Sequence, residues 1–324
     1  MNILITGGTG SFGRAFVRDA LENNRADRIV VYSRDEWKQA EMAEEFPSFG
    51  GKMRYFLGDV RDRDRLKRAM ADIDFVVHAA ALKRVDAVAY NPSEVVKTNV
   101  IGTMNVIDAA LDEGVRKVIL ISSDKAVNPT NIYGASKFMA EQYSIHANSY
   151  HGKRDCVISV VRWGNVMGSR GSVVNTFRER AAKGRSLQIT NTECTRFFIT
   201  LPQAVSFTWN VHESMFGGEV CIPRLKAFRI IDLAQVFDDH RGMETVGLRP
   251  GGEKIHESLL NEEETIRAWL DIDFFCVLPT YESNQPMRKT FLSRCEIARL
   301  ERGFKYTSDR ATRMTVAELK SALE

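Results

Sequence analysis

A tyrosine and a lysine four residues apart, Tyr133 and Lys137, have types and spacing that could do chemistry. On a helix, residues at i and i+4 lie on one face, so the phenol and the ammonium can approach each other. A free tyrosine has a pKa of about 10, and a neighbouring positive charge favours its phenolate. We therefore expect Tyr133 to take a proton from a substrate hydroxyl while hydride leaves the adjoining carbon.

A second reactive group, Ser123-Asp124-Lys125, precedes this pair and ends a predicted strand. Ser123 offers a hydroxyl, Asp124 a carboxyl and Lys125 an amine. In open α/β sheets, ligands bind at the carboxyl ends of the strands. That position favours a catalytic pair over the alternative, a surface ion pair.

A glycine-rich segment, residues 7–13, lies between the first predicted strand and the first predicted helix. Glycine lets the backbone approach a pyrophosphate closely, and the helix N-terminus then directs N–H groups at the anion. This position favours a dinucleotide site over a structural turn. The residues assigned to it are Gly7, Thr9, Gly10, Ser11, Phe12 and Gly13. After the third strand, Asp59 and Val60 suit a contact with adenine.

The end of the second strand indicates which dinucleotide is bound. An NAD site usually presents an acidic residue there to hold the ribose hydroxyls. This chain has Ser33, Arg34 and Asp35, with Lys38 one helical turn later. Arg34 and Lys38 could pair with a 2′-phosphate, although a solvated surface pair is the alternative. The sequence therefore favours NADP.

Short apolar runs alternate with helical patterns through the first half of the chain. Strands are predicted at 3–5, 28–33, 53–57, 75–79, 117–122 and 157–162, and helices at 11–22, 92–112 and 131–150. Apolar runs separated by helices are typical of a parallel sheet covered on both faces. We therefore predict an α/β fold, a Rossmann-type doubly wound parallel sheet with a smaller C-terminal substrate-binding lobe.

This pattern predicts that the chain is divided into two parts. Residues 1–165 are predicted to form the nucleotide-binding domain, to which a helix and strand at about 204–223 return. Residues 166–324 are predicted to be mainly the substrate-binding lobe. Residues 261–302 receive no role.

Composition excludes several classes of function. The 324 residues carry a formal charge of +3, too small to indicate nucleic acid or an anionic membrane as a partner. No apolar run approaches the roughly 20 residues that span a bilayer, and the N-terminal residues do not resemble a signal peptide. We expect a cytoplasmic protein without a membrane partner.

The cysteines and histidines do not indicate a metal site. The cysteines form no CxxC pair and are Cys156, Cys194, Cys221, Cys276 and Cys295. Three histidines, His78, His212 and His256, lack metal-ligand spacing. We expect reduced, buried thiols, no disulfide framework and no bound metal.

Motifs in a fixed order carry a specific resemblance. They are TGGTGSFG, YSRDEWKQAEM, GDVRD, HAAALKRV, YNPSE, TNVIGT, SSDKAVNPTNIYGASK, RWGNVMGSRGSVV and TRFFITL. Together they resemble the inverting UDP-N-acetylglucosamine 4,6-dehydratases, extended short-chain dehydrogenases/reductases that start bacterial pseudaminic acid synthesis. The closing FKYTSDRATRMTVAELKSALE is also similar to that family, and the likeness thins between about residues 261 and 302.

The resemblance implies a reaction in three parts. Tyr133 takes the proton of the sugar 4-hydroxyl as C4 gives up hydride. Lys125 removes the C5 proton, Asp124 protonates the departing C6 hydroxyl, and hydride returns to C6. Related retaining, membrane-anchored enzymes usually carry methionine in place of Tyr133, which favours the inverting branch.

The resemblance also implies the remaining contacts. The cofactor set gains Ala79, Ala80, Lys83, Tyr133 and Lys137, and the substrate set comprises Lys83, Asn165, Arg196, Arg249 and Glu253. Arg196 and Arg249 are expected to clamp the UDP diphosphate, because a guanidinium offers two parallel donors. We also expect a homo-oligomer.

Three alternatives stay open. A UDP-sugar 4-epimerase would use the same tyrosine and lysine, but it lacks the Asp124-Lys125 pairing. A retaining NDP-hexose 4,6-dehydratase would differ in the stereochemistry at C5. A non-catalytic NADP-binding scaffold is disfavoured, because such proteins typically lose the tyrosine or lysine that this chain keeps.

Overall fold

The computed structural model describes residues 1–84, 90–150, 152, 155–169, 171–238, 242–249, 251–281, 286–293 and 298–323. The strands are β1 (Asn2–Thr6), β2 (Arg28–Ser33), β3 (Met53–Leu57), β4 (Phe75–His78), β5 (Lys117–Ser123), β6 (Val157–Trp163), β7 (Asn165–Val166), β8 (Leu187–Ile189), β9 (Thr195–Ile199), β10 (Val220–Pro223), β11 (Ala227–Arg229), β12 (Met243–Thr245), β13 (Ser258–Leu260), β14 (Ala268–Leu270), β15 (Phe274–Val277), β16 (Ala298–Arg299) and β17 (Tyr306–Thr307).

The helices alternate with the strands in the first half of the chain. They are α1 (Ser11–Glu22), α2 (Glu36–Glu45), α3 (Arg63–Met70), α4 (Pro92–Val95), α5 (Gly102–Asp112), α6 (Ile132–Tyr150), α7 (Val173–Ala182), α8 (Leu201–Ser214), α9 (Ile230–Phe237), α10 (Glu262–Thr265), α11 (Pro286–Leu292) and α12 (Val316–Leu323). A π-helical stretch, Val96–Ile101, joins α4 to α5, so the predicted helix at 92–112 is continuous.

Seven strands pair in parallel, in the order β10-β6-β5-β4-β1-β2-β3. The strand order reverses direction between β1 and β4. At such a point the connections on either side diverge and leave a crevice at the carboxyl ends of the strands. The predicted α/β Rossmann-type fold is confirmed.

Both faces of this sheet are buried, which explains the continuous apolar runs of its strands. Side chains alternate between the faces along β1, so Ile3 and Ile5 pack with Phe16 of α1. Leu4 points to the other face and packs with Val106 of α5. All five side chains are fully buried.

The segment without a predicted role adds strands to the same sheet. β15 pairs antiparallel with β10, β14 with β15, and β16 with β14. These strands have only two to four residues, too few to show a clear alternation of apolar and polar side chains. The division of the chain at residue 165 stays a prediction, and residues 268–299 contribute three strands to the large sheet.

A buried arginine joins this late segment to the centre of the fold. Arg162 of β6 is 1% exposed, and its Nη2 lies 2.6 Å from Oε2 of Glu141 in α6 and 2.8 Å from Oε1 of Glu264 in α10. A charge without water is tolerated only where partners satisfy it. The three side chains therefore connect β6, α6 and α10 through one ion network.

The remaining C-terminal elements form small sheets and a separate apolar core. β11, β9 and β7 form one sheet, while β12 pairs with β8 and β13 with β17. The core includes Phe177, Phe198, Phe228 and Leu319. Among the described residues, no helix combines the length and apolar character needed to cross a bilayer.

The described cysteines are buried thiols without disulfide bonds, namely Cys156, Cys194, Cys221 and Cys276. Cys295 lies outside the described residues.

Candidate active site

A cavity of about 1970 Å³ opens at the carboxyl ends of the parallel strands. Most residues singled out from the sequence line it: Gly7, Thr9, Gly10, Ser11, Phe12, Gly13, Ser33, Arg34, Lys38, Val60, Ala79, Ala80, Lys83, Ser123, Asp124, Lys125, Tyr133, Lys137, Asn165 and Arg249. A smaller pocket of about 170 Å³ also has Lys125, Asn165 and Arg249 in its wall and adds Arg196 and Glu253. Asp59 is not among the residues that line either cavity.

The glycine loop has the geometry of a pyrophosphate cradle. Gly7 has a φ of +67°, and a Cβ there would lie 2.9 Å from the Ala80 backbone. A Cβ at Gly13 would lie 2.5 Å from the backbone of Gly8, so α1 could not pack this closely on the loop. Gly10 is the N-cap of α1 and no side chain caps this end. The N-terminal N–H groups of α1 can therefore receive a phosphate, and the site fits a dinucleotide.

The polar and charged side chains that follow β2 differ in how far they are already engaged by neighbouring residues. Lys38 forms an ion pair with Asp35, which also caps α2. The Ser33 hydroxyl accepts a hydrogen bond from Gln39 at 3.0 Å. Arg34 is half exposed on the cavity wall and lies 3.4 Å from Asp59. Arg34 is therefore the cation of this segment best placed to meet a ligand phosphate.

Tyr133 and Lys137 lie on α6 beside the end of β5. The Lys137 ammonium donates to the Ile121 carbonyl oxygen at 2.7 Å, and burial lowers the pKa of Lys137 to about 8. Burial raises the pKa of Tyr133, opposed by the Lys125 ammonium and by a hydrogen bond with Ser123. The Lys125 ammonium favours the phenolate, as a neighbouring positive charge should, but in the protein alone loss of water outweighs it.

Asp124 and Lys125 form a short 3₁₀ turn directly after β5. Asp124 is 1% exposed, and its Oδ1 accepts from Ser123 Oγ at 2.8 Å and from Lys125 Nζ at 2.9 Å. Its Oδ2 is buried, as is Oδ1 of Asn165, and neither bonds to a described residue. Buried polar atoms are usually satisfied, so these two oxygens are available to substrate hydroxyl or amide groups.

Two residues that the sequence interpretation missed hold this arrangement. Asn99 bonds to both the N–H and the carbonyl of Leu82 and donates to Ser136 on α6, which fixes the cavity wall against the helix. Glu257 places its Oε1 3.0 Å from Lys125 Nζ. No local pattern marks Glu257, because its partner lies far away in the sequence.

The two predicted diphosphate ligands differ in their surroundings. Arg196 is 5% exposed, and its guanidinium bonds to Glu253 at 2.9 Å and to the carbonyl oxygens of Thr195 and Ile255. Arg249 is exposed, and it lines both cavities. Arg249 is thus the one ready to meet a diphosphate, whereas Arg196 is engaged within the protein.

Known proteins resemble this chain in sequence. Residues 3–276 match the family described as polysaccharide biosynthesis protein. The Campylobacter jejuni protein named UDP-N-acetylglucosamine 4,6-dehydratase (inverting) is 45% identical over 280 residues, covering 86% of this chain and 83% of that protein. A Rickettsia massiliae protein named UDP-glucose 4-epimerase is 36% identical over 329 residues, covering 99% and 94%.

Solved structures show the same fold. Pen from Bacillus thuringiensis superposes with a TM-score of 0.90 at 34% identity, covering 99% of this chain and 96% of that chain. DesIV, a dTDP-glucose 4,6-dehydratase from Streptomyces venezuelae, superposes with a TM-score of 0.69 at 23% identity, covering 78% and 86%. The resemblance inferred from the motifs is confirmed, and the chain belongs to the polysaccharide biosynthesis protein family, on an extended short-chain dehydrogenase/reductase fold.

Proposed function

We propose that this protein is an NADP-dependent, C5-inverting UDP-N-acetylglucosamine 4,6-dehydratase. One observation carries the proposal: the buried Asp124 and the partly buried Lys125 form an ion pair beside Ser123 and Tyr133 on the cavity wall. Removing a proton from C5 while a hydroxyl leaves C6 needs a base and an acid side by side. The 45% identity to a protein named for this activity supports the same substrate.

Residues of α6 and β5 carry out the oxidation at C4. Tyr133 takes the proton of the 4-hydroxyl, with Ser123 in hydrogen-bond reach of the phenol. A bound nicotinamide dinucleotide would accept hydride from C4 and return it to C6. Lys137, held by the Ile121 carbonyl, would orient the nicotinamide ribose beside Tyr133.

The Asp124–Lys125 ion pair carries out the elimination. Burial raises the pKa of Asp124, while the two adjacent carboxylates raise that of Lys125. Across the 2.9 Å contact a proton can pass from the ammonium to the carboxylate, leaving an amine and a carboxylic acid. Lys125 then removes the C5 proton, and Asp124 protonates the C6 hydroxyl as it departs.

The preference for NADP rests on Arg34. It lies on the cavity wall directly after β2, whose last residue is Ser33; Asp35 and Glu36 also line this wall, and Asp35 is paired with Lys38. A guanidinium there suits a 2′-phosphate, whereas an acidic residue would repel it. Ser33 and Lys38 line the same wall.

Product analysis tests the proposed reaction. The purified protein is incubated with UDP-N-acetylglucosamine in D₂O, and proton spectra are recorded from the earliest times. The expected product is UDP-2-acetamido-2,6-dideoxy-β-L-arabino-hex-4-ulose with deuterium at C5. An initial product of the D-xylo series would make the enzyme retaining, and absence of any 4-keto-6-deoxy product would refute the dehydratase.

A UDP-sugar 4-epimerase is the second candidate, favoured by the Rickettsia relative that matches 99% of the chain. An epimerase would return hydride to C4 and keep the C6 hydroxyl. It has no use for the Asp124–Lys125 pair. Conversion of UDP-glucose or UDP-N-acetylglucosamine to its C4 epimer, unchanged in an Asp124→Asn variant, would favour this candidate.

We further propose that the protein works in the cytoplasm as a homo-oligomer and supplies a pseudaminic-acid type of sugar pathway. Light scattering of the purified chain during size-exclusion chromatography tests the oligomer. A monomeric mass at working concentration would contradict it.

A further inference from the structure

Glu257 is a buried carboxylate that the reaction described above does not use. Its side chain is 1% exposed, and it directly precedes β13. Its N–H donates to Ser308 Oγ at 2.9 Å, and its carbonyl oxygen accepts from the Ser308 N–H at 2.8 Å. The backbone therefore holds Glu257 in place independently of its carboxylate.

The carboxylate of Glu257 contacts the proposed C5 base. Oε1 lies 3.0 Å from Lys125 Nζ, and the same nitrogen lies 2.9 Å from Asp124 Oδ1. Arg196 Nε lies 3.9 Å from Oε1, and Lys254 Nζ lies 3.7 Å from Oε2. One ammonium is thus shared by two buried carboxylates, and Glu257 has two further cations, Arg196 and Lys254, within 4 Å.

The pKa values of Glu257 and Asp124 are shifted in opposite directions. Burial opposes ionisation of Glu257, but Lys125, Arg196 and Lys254 outweigh it and lower its pKa. Burial raises the pKa of Asp124, and the charge of Glu257 adds to that rise. Glu257 is therefore the carboxylate that its surroundings favour as an anion, and Asp124 the one that they favour to carry a proton.

The elimination step needs one proton on the Asp124–Lys125 pair. Before it, Asp124 is a carboxylic acid and Lys125 an amine. The C5–H bond breaks and its proton goes to Lys125, while the electron pair forms the C5–C6 double bond. The C6–O bond breaks, and Asp124 gives its proton to the leaving hydroxyl as water. Afterwards Asp124 is a carboxylate and Lys125 an ammonium, so the pair still holds one proton.

We propose that Glu257 is a positioning residue for elimination: its carboxylate holds Lys125 against Asp124 and keeps that single proton on the pair. The inference rests on the proposed dehydratase function. The pair titrates as a unit, so the alkaline limb of the pH–rate profile reports loss of this shared proton. The other charged or titratable groups facing the cluster are Tyr133, Arg196, Glu253 and Lys254.

The test is a Glu257→Gln variant of the full chain, assayed with UDP-N-acetylglucosamine. Gln keeps the shape and removes the charge, so the alkaline limb of the elimination rate should move down by about one pH unit or more. C4 oxidation does not need the shared proton, so reduced nicotinamide should accumulate. Turnover should fall roughly tenfold or more while KM changes less than about threefold.

Two further variants make the result specific. Glu262→Gln makes the same change on an exposed side chain five residues away, and its profile should match the wild type. Glu257→Asp keeps the charge, so its alkaline limb should stay near that of the wild type even if its turnover falls. If Glu257→Gln does not fold, Glu257→Asp alone decides. Its alkaline limb should not move, because the charge is kept. A downward shift of about one pH unit or more, as predicted for loss of the charge, would overturn the proposal.

Failure of this inference is distinguishable from failure of the proposed function. If the wild type forms no 4-keto-6-deoxy sugar, the dehydratase assignment is wrong, and the role of Glu257 falls with it. If the wild type forms that product and Glu257→Gln keeps the same pH profile and turnover, the role of Glu257 alone is wrong.

Discussion

Burial, as well as nearby charge, determines the pKa values of individual side chains in this site. Lys137 and Tyr133 lose water, which lowers the pKa of the amine and raises that of the phenol. Asp124 is almost fully buried and still carries an oxygen without a partner among the described residues. Strongly perturbed pKa values of this kind are concentrated at functional sites, so substitution of these groups is a test of the proposed reaction.

At this scale the cofactor preference can be tested with Arg34→Ala. The variant loses a charge-assisted contact with the 2′-phosphate, so NADP⁺ affinity should fall about tenfold or more and NAD⁺ affinity should change little. Binding titrations with both cofactors measure this. Arg68→Ala, an exposed arginine away from the cavity, is the control. Equal losses of affinity for NADP⁺ and NAD⁺ would show that Arg34 does not bind the 2′-phosphate.

The roles of Tyr133 and Asp124 should separate in the same way. Tyr133→Phe removes the phenol that accepts the 4-hydroxyl proton, so turnover should fall by about a hundredfold or more without reduced nicotinamide appearing. Asp124→Asn should reach the 4-keto stage and stall, so that reduced nicotinamide absorbance appears on mixing. Identical traces for the two variants in stopped-flow measurements would contradict this division.

The elements that carry these side chains meet unusually closely. α6 begins one residue before Tyr133, at Ile132, and its Gly134 lies against the 3₁₀ turn of Asp124 and Lys125. A Cβ at Gly134 would lie 2.4 Å from the Lys125 carbonyl oxygen. The distance between the oxidation pair and the elimination pair therefore depends on this glycine.

Gly134→Ala should push α6 away from the turn. A displacement of about 1 Å between reacting groups can lower turnover about a hundredfold, so a large loss of activity is expected with cofactor binding retained. Product formation and a dinucleotide titration measure the two effects. Gly51→Ala is the matched control, since nothing lies within 4 Å of a Cβ there. Full activity of Gly134→Ala would mean that the helix and turn adjust without cost.

At the scale of the whole molecule, the C-terminal segment completes both the sheet and the site. β14, β15 and β16 extend the parallel strands, while Glu257, just before β13, reaches Lys125. Arg162 connects the two regions, because its partners lie on α6 and α10. The N-terminal half of the chain and the C-terminal segment are therefore connected through buried charge.

Arg162→Met should destabilise the whole fold. It leaves Glu141 and Glu264 buried without their shared cation, and breaking such a network costs about 3–5 kcal/mol. Urea denaturation followed by circular dichroism measures the loss in the free energy of unfolding. The exposed Arg302→Met should change it by less than about 0.5 kcal/mol. A difference below about 1 kcal/mol between the two variants would show that the network contributes little.

The sequence by itself determined the fold class and most of the cavity wall. Strand runs such as Arg28–Ser33 and the loop at residues 7–13 have local causes, namely burial on both sheet faces and the need for glycine. Tyr133 and Lys137 were recognisable because helical spacing places them on one face. Residue type and short-range spacing suffice for features of this kind.

Only the tertiary structure decided how charge is shared in the site. The contact of Glu257 with Lys125 and the enclosure of Arg196 depend on which side chains meet once water is excluded. The short strands at 268–299 likewise gain stability from pairing with β10 and with each other, since so few residues carry little preference alone. These contacts join distant parts of the chain, and their strength depends on burial, which no local pattern records.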